Sequence, residues 1–485
     1  VTFDLATIGT FTALAVAYTL LPGRWRGWAL MIVSLIVVYG LQPFLRVQHM
    51  DFILPTLTIL LALIGWWVTR QPDEAQQASW PQDRIALGLI VGVVVLMAGF
   101  RYIDPAFRLT ASRPPSPLWV LLGVAVVQAP LWLWRRQIAG YKRAALWVTA
   151  ALILGAFIVL KTGPLALAVS EFGRVISGRD PAAANPLTDL NWLGFSYVAF
   201  RLLHTLRDRA TGLLPALSLR DYMTYIVFFP AFIAGPIDRA ERFQQDMAAL
   251  PDLGRASADR WAEGIGRIVV GLFKKFVIAD TLALGVALNA TNAAQTDSTG
   301  WAWVLLYGYA LRLFFDFSGY SDIAIGIGIL FGVRLPENFK RPYLQTNITA
   351  FWQSWHITLS DWARFYVFSP LSRSLLRRKP RPSPVLIVLL AQVATMVVIG
   401  LWHGVTWNFL IWGLWHGIGL WVHKQWSDRT RKWYRNLKQQ PGRLRLWMGL
   451  AWALTFHFVV LGWVWFALPT PTDSLNLFAI LFGVR

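Results

Sequence analysis

Long apolar stretches, almost free of charge, recur along this chain from end to end. They lie near 3–21, 28–42, 52–69, 85–100, 118–134, 144–161, 192–206, 264–289, 301–331, 384–400, 405–422 and 446–467. A helix rises 1.5 Å per residue, so most of these runs approach or exceed the roughly 30 Å of a bilayer's hydrocarbon core. A segment at that depth has no water to satisfy its backbone, and a helix closes its own hydrogen bonds. The fold class is therefore an all-α polytopic membrane protein. Composition agrees: 56% of residues are hydrophobic and 14% charged, where soluble domains carry about 25% charged. The 27 tryptophans suit membrane interfaces and the walls of apolar cavities. The first run, from Thr10 to Leu21, lacks a basic leader and a small-residue cleavage site, and reads as a mature span.

The net charge is +20, from 45 basic and 25 acidic residues. In a bilayer protein this excess marks loops held on the cytoplasmic side, and no nucleic acid is needed to explain it. Among the first five loops, the odd ones hold Arg24, Arg26, Arg70, Arg84, Arg135, Arg136, Lys142 and Arg143; the even ones hold Arg46, Arg101, Arg108 and Arg113. The odd loops are expected inside and the N-terminus outside. The chain has no cysteine, which excludes disulfides, thiolate metal sites and a cysteine nucleophile.

Four regions follow: outer-wall spans over 1–161, an external loop or interfacial helix over 162–191, a working core over 192–425, and a basic cytoplasmic loop with closing helices over 426–485. Pro164 to Val169 is too short to cross. Tyr222 to Pro236 is apolar but interrupted by Pro230, Gly235 and Pro236. Proline removes a backbone donor, so this stretch reads as a re-entrant element buried in protein.

Two histidines stand in tryptophan-rich apolar sequence: His356 in Phe351-Trp352-Gln353-Ser354-Trp355-His356, and His403 in Gly400-Leu401-Trp402-His403-Gly404. Neutral imidazole exchanges protons near neutral pH, and ionisable groups at membrane depth mark function. Read as one helix, 352–366 puts Trp352, Trp355, Leu359, Trp362 and Tyr366 on an aromatic face, and His356, Ser360 and Arg364 on a polar stripe. A second Trp-His-Gly, at Trp415-His416-Gly417, makes His416 a supporting or ligand-contacting residue. In the apolar span around 301–331, Arg312 and Asp316 are four apart and can pair; Asp316 could instead orient a histidine.

No Gly-x-Ser-x-Gly elbow, zinc-site His-Glu-x-x-His or P-loop occurs. His356 and Asp361 match a His-x4-Asp string, but five residues of helix turn through about 500° and point the two side chains apart. That match is coincidental.

Several strings together resemble the membrane-bound O-acyltransferase (MBOAT) superfamily, in its bacterial AlgI/DltB-like branch. They are Gly194-Phe195-Ser196-Tyr197, Phe229-Pro230 through Gly235-Pro236-Ile237-Asp238-Arg239, Phe315-Asp316-Phe317-Ser318-Gly319-Tyr320-Ser321, Pro336-Glu337-Asn338-Phe339, Phe351 to Ser360 and Leu401-Trp402-His403-Gly404. The resemblance covers about 190–425. Gly-Pro-Ile-Asp-Arg looks more like the D-alanylation branch; Phe-Asp-Phe-Ser-Gly-Tyr-Ser-Asp and Pro-Glu-Asn-Phe look more like the O-acetylation branch. One departure is Arg364-Phe365-Tyr366, where the family commonly has Arg-Asp-Tyr.

The resemblance implies a ring of tilted helices with re-entrant segments around a central tunnel. It implies transfer of an acyl group, acetyl first, from a cytoplasmic thioester to a hydroxyl of an extracytoplasmic glycan or an intermediary protein. His403 would be the essential base and His356 would position or polarise the thioester. Trp352, Trp355, Ser360, Asp316, Ser318, Tyr320, Trp402, Asn338 and His416 would line or support the passage. Arg239, Arg364, Arg377 and Arg378 would face the donor side. The donor would be acyl-CoA (acetyl-CoA first) or an acyl carrier protein thioester, with no metal and no permanently bound cofactor. Membrane lipid and an extracytoplasmic SGNH-type acyltransferase are the other expected partners, and the bacterial inner membrane the expected location. The rivals are D-alanyl transfer from a carrier protein, and a transporter or scaffold that makes no ester bond.

Overall fold

The computed structural model describes residues 4–70, 80–133, 142–254 and 257–484, with the side chains of 127–133 and 142 outside that description. Arg135 and Arg136 therefore lie outside the described residues, as does the Lys142 side chain. The first helices are α1 (Leu5–Thr19), α2 (Gly23–Leu41), α3 (Met50–Thr69), α4 (Trp80–Gly99), α5 (Pro117–Leu133), α6 (Lys142–Lys161) and α7 (Gly163–Ile176). Next come α8 (Phe195–Ala210), α9 (Leu219–Val227), α10 (Ala240–Ala249) and α11 (Ala258–Leu272), which runs into a π-helical turn at Phe273–Ala279. The remainder are α12 (Thr299–Leu330), α13 (Ile348–Trp352), α14 (Ile357–Ala363) with a second π-helical stretch at Arg364–Phe368, α15 (Ser369–Leu376), α16 (Pro384–His403), α17 (Trp407–Arg429), α18 (Arg431–Lys438), α19 (Pro441–Ala467) and α20 (Pro471–Leu481). Among the described residues, seven helices are long and apolar enough to cross a membrane, and the only β feature is an isolated bridge between Phe339 and Trp355. This is an all-helical polytopic membrane protein.

The chain divides into two compact units: residues 1–266 with 324–335, and residues 267–323 with 336–485. In the first, the expected break after Tyr222 is present. Helix α9 stops at Val227, and a 3-10 turn follows at Phe229–Ala231. A helix end leaves carbonyls without partners, and these are buried. Arg201 of α8, 2% exposed, supplies the missing donors: its guanidinium donates to the carbonyls of Ile226 (2.9 Å), Tyr225 (3.3 Å) and Ala231 (2.7 Å). The Gly-Pro-Ile-Asp-Arg loop beyond is pinned by α9 and α8 together. Tyr225 Oη donates to the Asp238 carbonyl at 2.8 Å, and the Ala240 N–H donates to His204 Nε2 at 3.3 Å. With Nε2 accepting, the His204 proton sits on Nδ1, 3.1 Å from Tyr225 Oη.

Helix α7 is built inside out. Ser170 and Arg174 turn inward while Leu165, Phe172, Val175 and Ile176 are exposed. The inward residues meet Asp189, itself fully buried. Arg174 grips both carboxylate oxygens, at 2.7 and 3.0 Å, Ser170 donates a third bond, and the Asn185 N–H a fourth at 2.9 Å. Burial works against the charge on Asp189, but Arg174, Ser170 and the Asn185 amide outweigh it and hold the carboxyl at about 2. A carboxyl held below its unfolded value, about 3.9, contributes stability above that value and loses it as pH falls through the folded one. Asp189→Asn is expected to lower the melting temperature of the purified protein at pH 7. It should also weaken the loss of stability between about pH 4 and pH 2, read by thermal denaturation at stepped pH; an acid limb identical to wild type would contradict this assignment.

Candidate active site

Both leading histidines belong to the second unit, and their surroundings are built there. The segment 352–366 is not the single helix its spacing suggests. Helix α13 is capped by the Asn347 side chain, which accepts from the Ala350 N–H, and ends at Trp352. Trp355 then forms the bridge to Phe339. His356 takes a left-handed conformation, φ 43° and ψ 54°, as the residue before α14. Non-glycine residues seldom adopt this region, at a cost of roughly 1 kcal/mol or more. The proposed aromatic face and polar stripe are thereby dissolved. A contact between residues 339 and 355, invisible to local periodicity, breaks the helix between them. Ser360 Oγ donates to the Trp355 carbonyl (3.3 Å), and Arg364 pairs with Asp361 (2.9 Å). Asp361 thus serves Arg364, in keeping with the dismissal of the His-x4-Asp match.

Asn338 ties this turn together. Its backbone carbonyl accepts from the Ile357 N–H at 2.9 Å. Its side-chain oxygen accepts from the Thr358 N–H (3.3 Å) and the Thr358 hydroxyl (2.6 Å), and lies 3.4 Å from His356 Nδ1. Its amide nitrogen donates to Ser321 of α12 at 3.3 Å. Asn338 is fully buried and His356 is 3% exposed. The other ring nitrogen of His356, Nε2, has no partner among the described residues.

His403 is the last residue of α16, and its position depends on how closely α16 and α17 approach. A Cβ on Gly400 would lie 2.3 Å from the Phe409 carbonyl oxygen, one on Gly413 2.7 Å from the Met396 oxygen, and one on Gly417 2.8 Å from the Val393 Cα. Gly413 and Gly417 form a Gly-x-x-x-Gly pair, the spacing that lets helix backbones touch in a membrane. At the end of this contact the half-buried His403 ring meets Trp402 (4.5 Å between centroids), Phe466 (4.7 Å), Phe409 and Trp412 (both 5.8 Å). Trp402 also lies 6.1 Å from His356, which meets Phe317 at 4.6 Å. One indole therefore touches both imidazoles.

His416, one face along α17, is fully buried against Trp412 (4.9 Å) and Trp352 (5.2 Å). Neither of its ring nitrogens has a partner among the described residues, and the same holds for the indole nitrogens of Trp352 and Trp412. Buried polar groups are nearly always bonded, so three adjacent rings with idle nitrogens are unusual. Trp355 stacks on Phe351 and packs against Trp463 (5.1 Å). Ser318 and Tyr320 are buried on α12, the Ser318 hydroxyl without a partner among the described residues.

Asp316 does not pair with Arg312 as its spacing suggests. It pairs with Lys275, which the π-helical turn carries and buries to 5% exposure. A buried ammonium requires a counter-charge, and Asp316 provides it. Lys274, the preceding residue, reaches Asp322 at 2.6 Å, and Arg267 bridges Asp322 to Glu337. Two adjacent lysines inside the apolar stretch 264–289 were the overlooked signal. Arg364, Arg377 and Arg378 are exposed in this unit; Arg239, in the first unit, pairs with Asp208 at 3.5 Å. Among the described residues no cluster could hold a metal ion.

A family model described as membrane-bound O-acyltransferase matches residues 145–461, which include Asn338, His356, Trp402, His403 and His416. The chain belongs to the membrane-bound O-acyltransferase family. It is 37% identical over 296 residues to a probable alginate O-acetylase of Pseudomonas syringae pv. tomato, covering 60% of this chain and 51% of that protein. It is 36% identical over 267 residues to a peptidoglycan O-acetyltransferase of Helicobacter pylori, covering 55% and 47%. It is 32% identical over 287 residues to a teichoic acid D-alanyltransferase of Streptococcus thermophilus, covering 57% and 68%. The chain spans about half the length of the first of these relatives.

Two substitutions probe the site's construction. Gly413→Val puts carbon into the Met396 backbone, and overpacking of this kind costs about 1–3 kcal/mol. The melting temperature of the detergent-solubilised protein should fall, while Gly449→Val, where a Cβ meets nothing within 4 Å, should leave it unchanged. His416→Leu removes two polar atoms that have no partner among the described residues, and leaving such atoms buried costs roughly 1–3 kcal/mol each. Its melting temperature is expected to hold or rise; a clear fall would show that the His416 ring is bonded.

Proposed function

We propose that this protein transfers an acyl group, acetyl first, from a cytoplasmic thioester to a hydroxyl of an extracytoplasmic glycan or an intermediary protein. The observation that carries the reading is the Trp402 ring in contact with both His356 and His403, in a chain of the O-acyltransferase family. The reaction needs a group that takes the hydroxyl proton as oxygen attacks the thioester carbon, and returns it to the sulfur as the C–S bond breaks. A neutral imidazole does both, and general acid–base help of this kind is worth on the order of 10²–10⁴-fold. Two imidazoles in an aromatic, water-poor setting suit that task.

The donor would be acyl-CoA or an acyl carrier protein thioester, drawn to the cytoplasmic face by exposed Arg364, Arg377 and Arg378. A central passage through the helices would bring the thioester to the histidines. The protein would sit in a bacterial inner membrane with its N-terminus outside, and an SGNH-type acyltransferase would receive the group where a relay is used. D-alanyl transfer is the alternative, supported by the likeness to a teichoic acid D-alanyltransferase and by the Gly235-to-Arg239 string.

His403→Ala, expressed to wild-type levels in membranes, is expected to lose surface acylation by on the order of 10²-fold or more. Wild-type membranes supplied with labelled acetyl-CoA should label the acceptor, whereas labelling only from a charged D-alanyl carrier protein would select the alternative. Unchanged acylation in His403→Ala would refute the enzyme reading.

A further inference from the structure

The connection between α17 and α19 carries far more positive charge than it neutralises. Residues 424–445 hold eight basic side chains against a single carboxylate, Asp428. Lys424 and Arg431 both pair with that carboxylate. Among the described residues, Arg429, Lys432, Arg435, Lys438, Arg443 and Arg445 have no carboxylate partner. Helix α18 sorts its residues onto two faces. Trp433 and Leu437, four apart, share one of them; Leu437 is buried, and the Trp433 ring meets Trp447 of α19 edge-on at 5.0 Å. Arg431, Arg435 and Lys438, at spacings of four and three, fall on the opposite face and are exposed. Gln440 holds the turn into α19. Its N–H donates to the Leu437 carbonyl at 2.9 Å, its carbonyl accepts from the Leu444 N–H at 2.9 Å, and its side-chain oxygen accepts from Arg443 at 2.9 Å. Arg443 is thereby fixed beside the end of α18.

Arg443 also begins a row along α19. Leu446, Leu450 and Leu454 follow it on the same face and are 72, 66 and 74% exposed. Helix α19 is long and apolar enough to cross a membrane, so an exposed leucine row on it faces hydrocarbon. Arg443 lies about 4.5 Å along the axis from the first of these leucines, where hydrocarbon gives way to headgroups. Trp426 and Trp433 mark the same level. Both are exposed, both meet Trp447 (6.4 and 5.0 Å), and tryptophan gathers at membrane interfaces. An apolar row that ends in cations without counter-charge complements both halves of an anionic lipid. An acidic soluble protein would engage the cations and leave the leucines bare. We propose that the basic face of α18 and the foot of α19 form a docking site for anionic phospholipid. Arg435, Lys438 and Arg443 hold its phosphate, and its acyl chains lie along Leu446, Leu450 and Leu454. Clusters of about four to eight basic residues beside a span bind anionic headgroups in this way. Lipid docking here does not depend on acyl transfer.

The test is native mass spectrometry of the whole chain in detergent, titrated with phosphatidylglycerol or with phosphatidylcholine of the same acyl chains. Phosphatidylglycerol should bind at least about 10-fold tighter, and Arg435→Gln/Lys438→Gln/Arg443→Gln should lose at least about 10-fold of that affinity. Arg84→Gln/Arg143→Gln/Arg179→Gln removes three other exposed positive charges and should leave the affinity unchanged. Equal affinity for the two lipids, or an equal loss in both triple variants, would overturn the proposal. Phosphatidylglycerol carrying a diazirine beside its headgroup should crosslink the wild-type protein within 431–454, a readout that stands even where the triple variant misfolds. Crosslinks confined to other segments would likewise refute the site. Displacement of the lipid by an equal concentration of glycerol phosphate would assign the cations to a soluble phosphate, and displacement by an acidic carrier protein would assign them to a protein; either result overturns lipid docking.

Discussion

A helix that stops inside a bilayer protein leaves carbonyls and amides that water cannot reach, and each must find a partner from the chain itself. This constraint governs both units. In the first, α9 ends on carbonyls that Arg201 collects with one guanidinium. In the second, the break between α13 and α14 exposes amides at Ile357 and Thr358, and Asn338 accepts both. The solutions differ because the orphaned groups differ. Three acceptors suit a cation with five N–H groups; two donors suit a carbonyl and a carboxamide oxygen. The second solution has a chemical consequence the first lacks, since the carboxamide that repairs the backbone also touches His356.

Glycine does for the helices what Asn338 does for the turn. Gly400, Gly413 and Gly417 remove the side chains that would hold α16 from α17. The freed space is filled from above and below by large rings: Trp402, Trp412, Phe409 and Phe466 around His403, and Trp352, Trp412 and Trp463 around His416. Packing of this kind is stiff, because each ring is fixed by several others.

Much of this was legible from the chain alone. Apolar run length located the spans, proline and glycine located the break after Tyr222, and the Trp-His strings identified the two imidazoles. What escaped was whatever depends on distant contacts. The 352–366 periodicity fitted one helix, but the Phe339–Trp355 bridge and the left-handed backbone of His356 interrupt it between Trp352 and Ile357. Arg312 and Asp316 have the right spacing to pair, yet the π-helical turn delivers Lys275 to Asp316. A π turn changes which residues share a face, and no simple count of three and four anticipates it. Thr358 was missed because its value lies in fixing the orientation of another side chain.

The idle nitrogens then separate stability from function. His356 Nε2, both nitrogens of His416, and the indole nitrogens of Trp352 and Trp412 are buried without partners among the described residues. Leucine and phenylalanine would fill comparable volumes without that penalty, so packing alone does not account for histidine at 356 and 416. The two cases are not equivalent. At His356 one nitrogen, Nδ1, lies 3.4 Å from the Asn338 oxygen, and the other has no partner among the described residues. At His416 neither nitrogen is committed, so the ring can present either face of its chemistry to a neighbour. Of the two, only His356 has a ring nitrogen within hydrogen-bond reach of a described partner, so turning that ring means breaking a buried hydrogen bond, whereas turning His416 breaks none among the described residues.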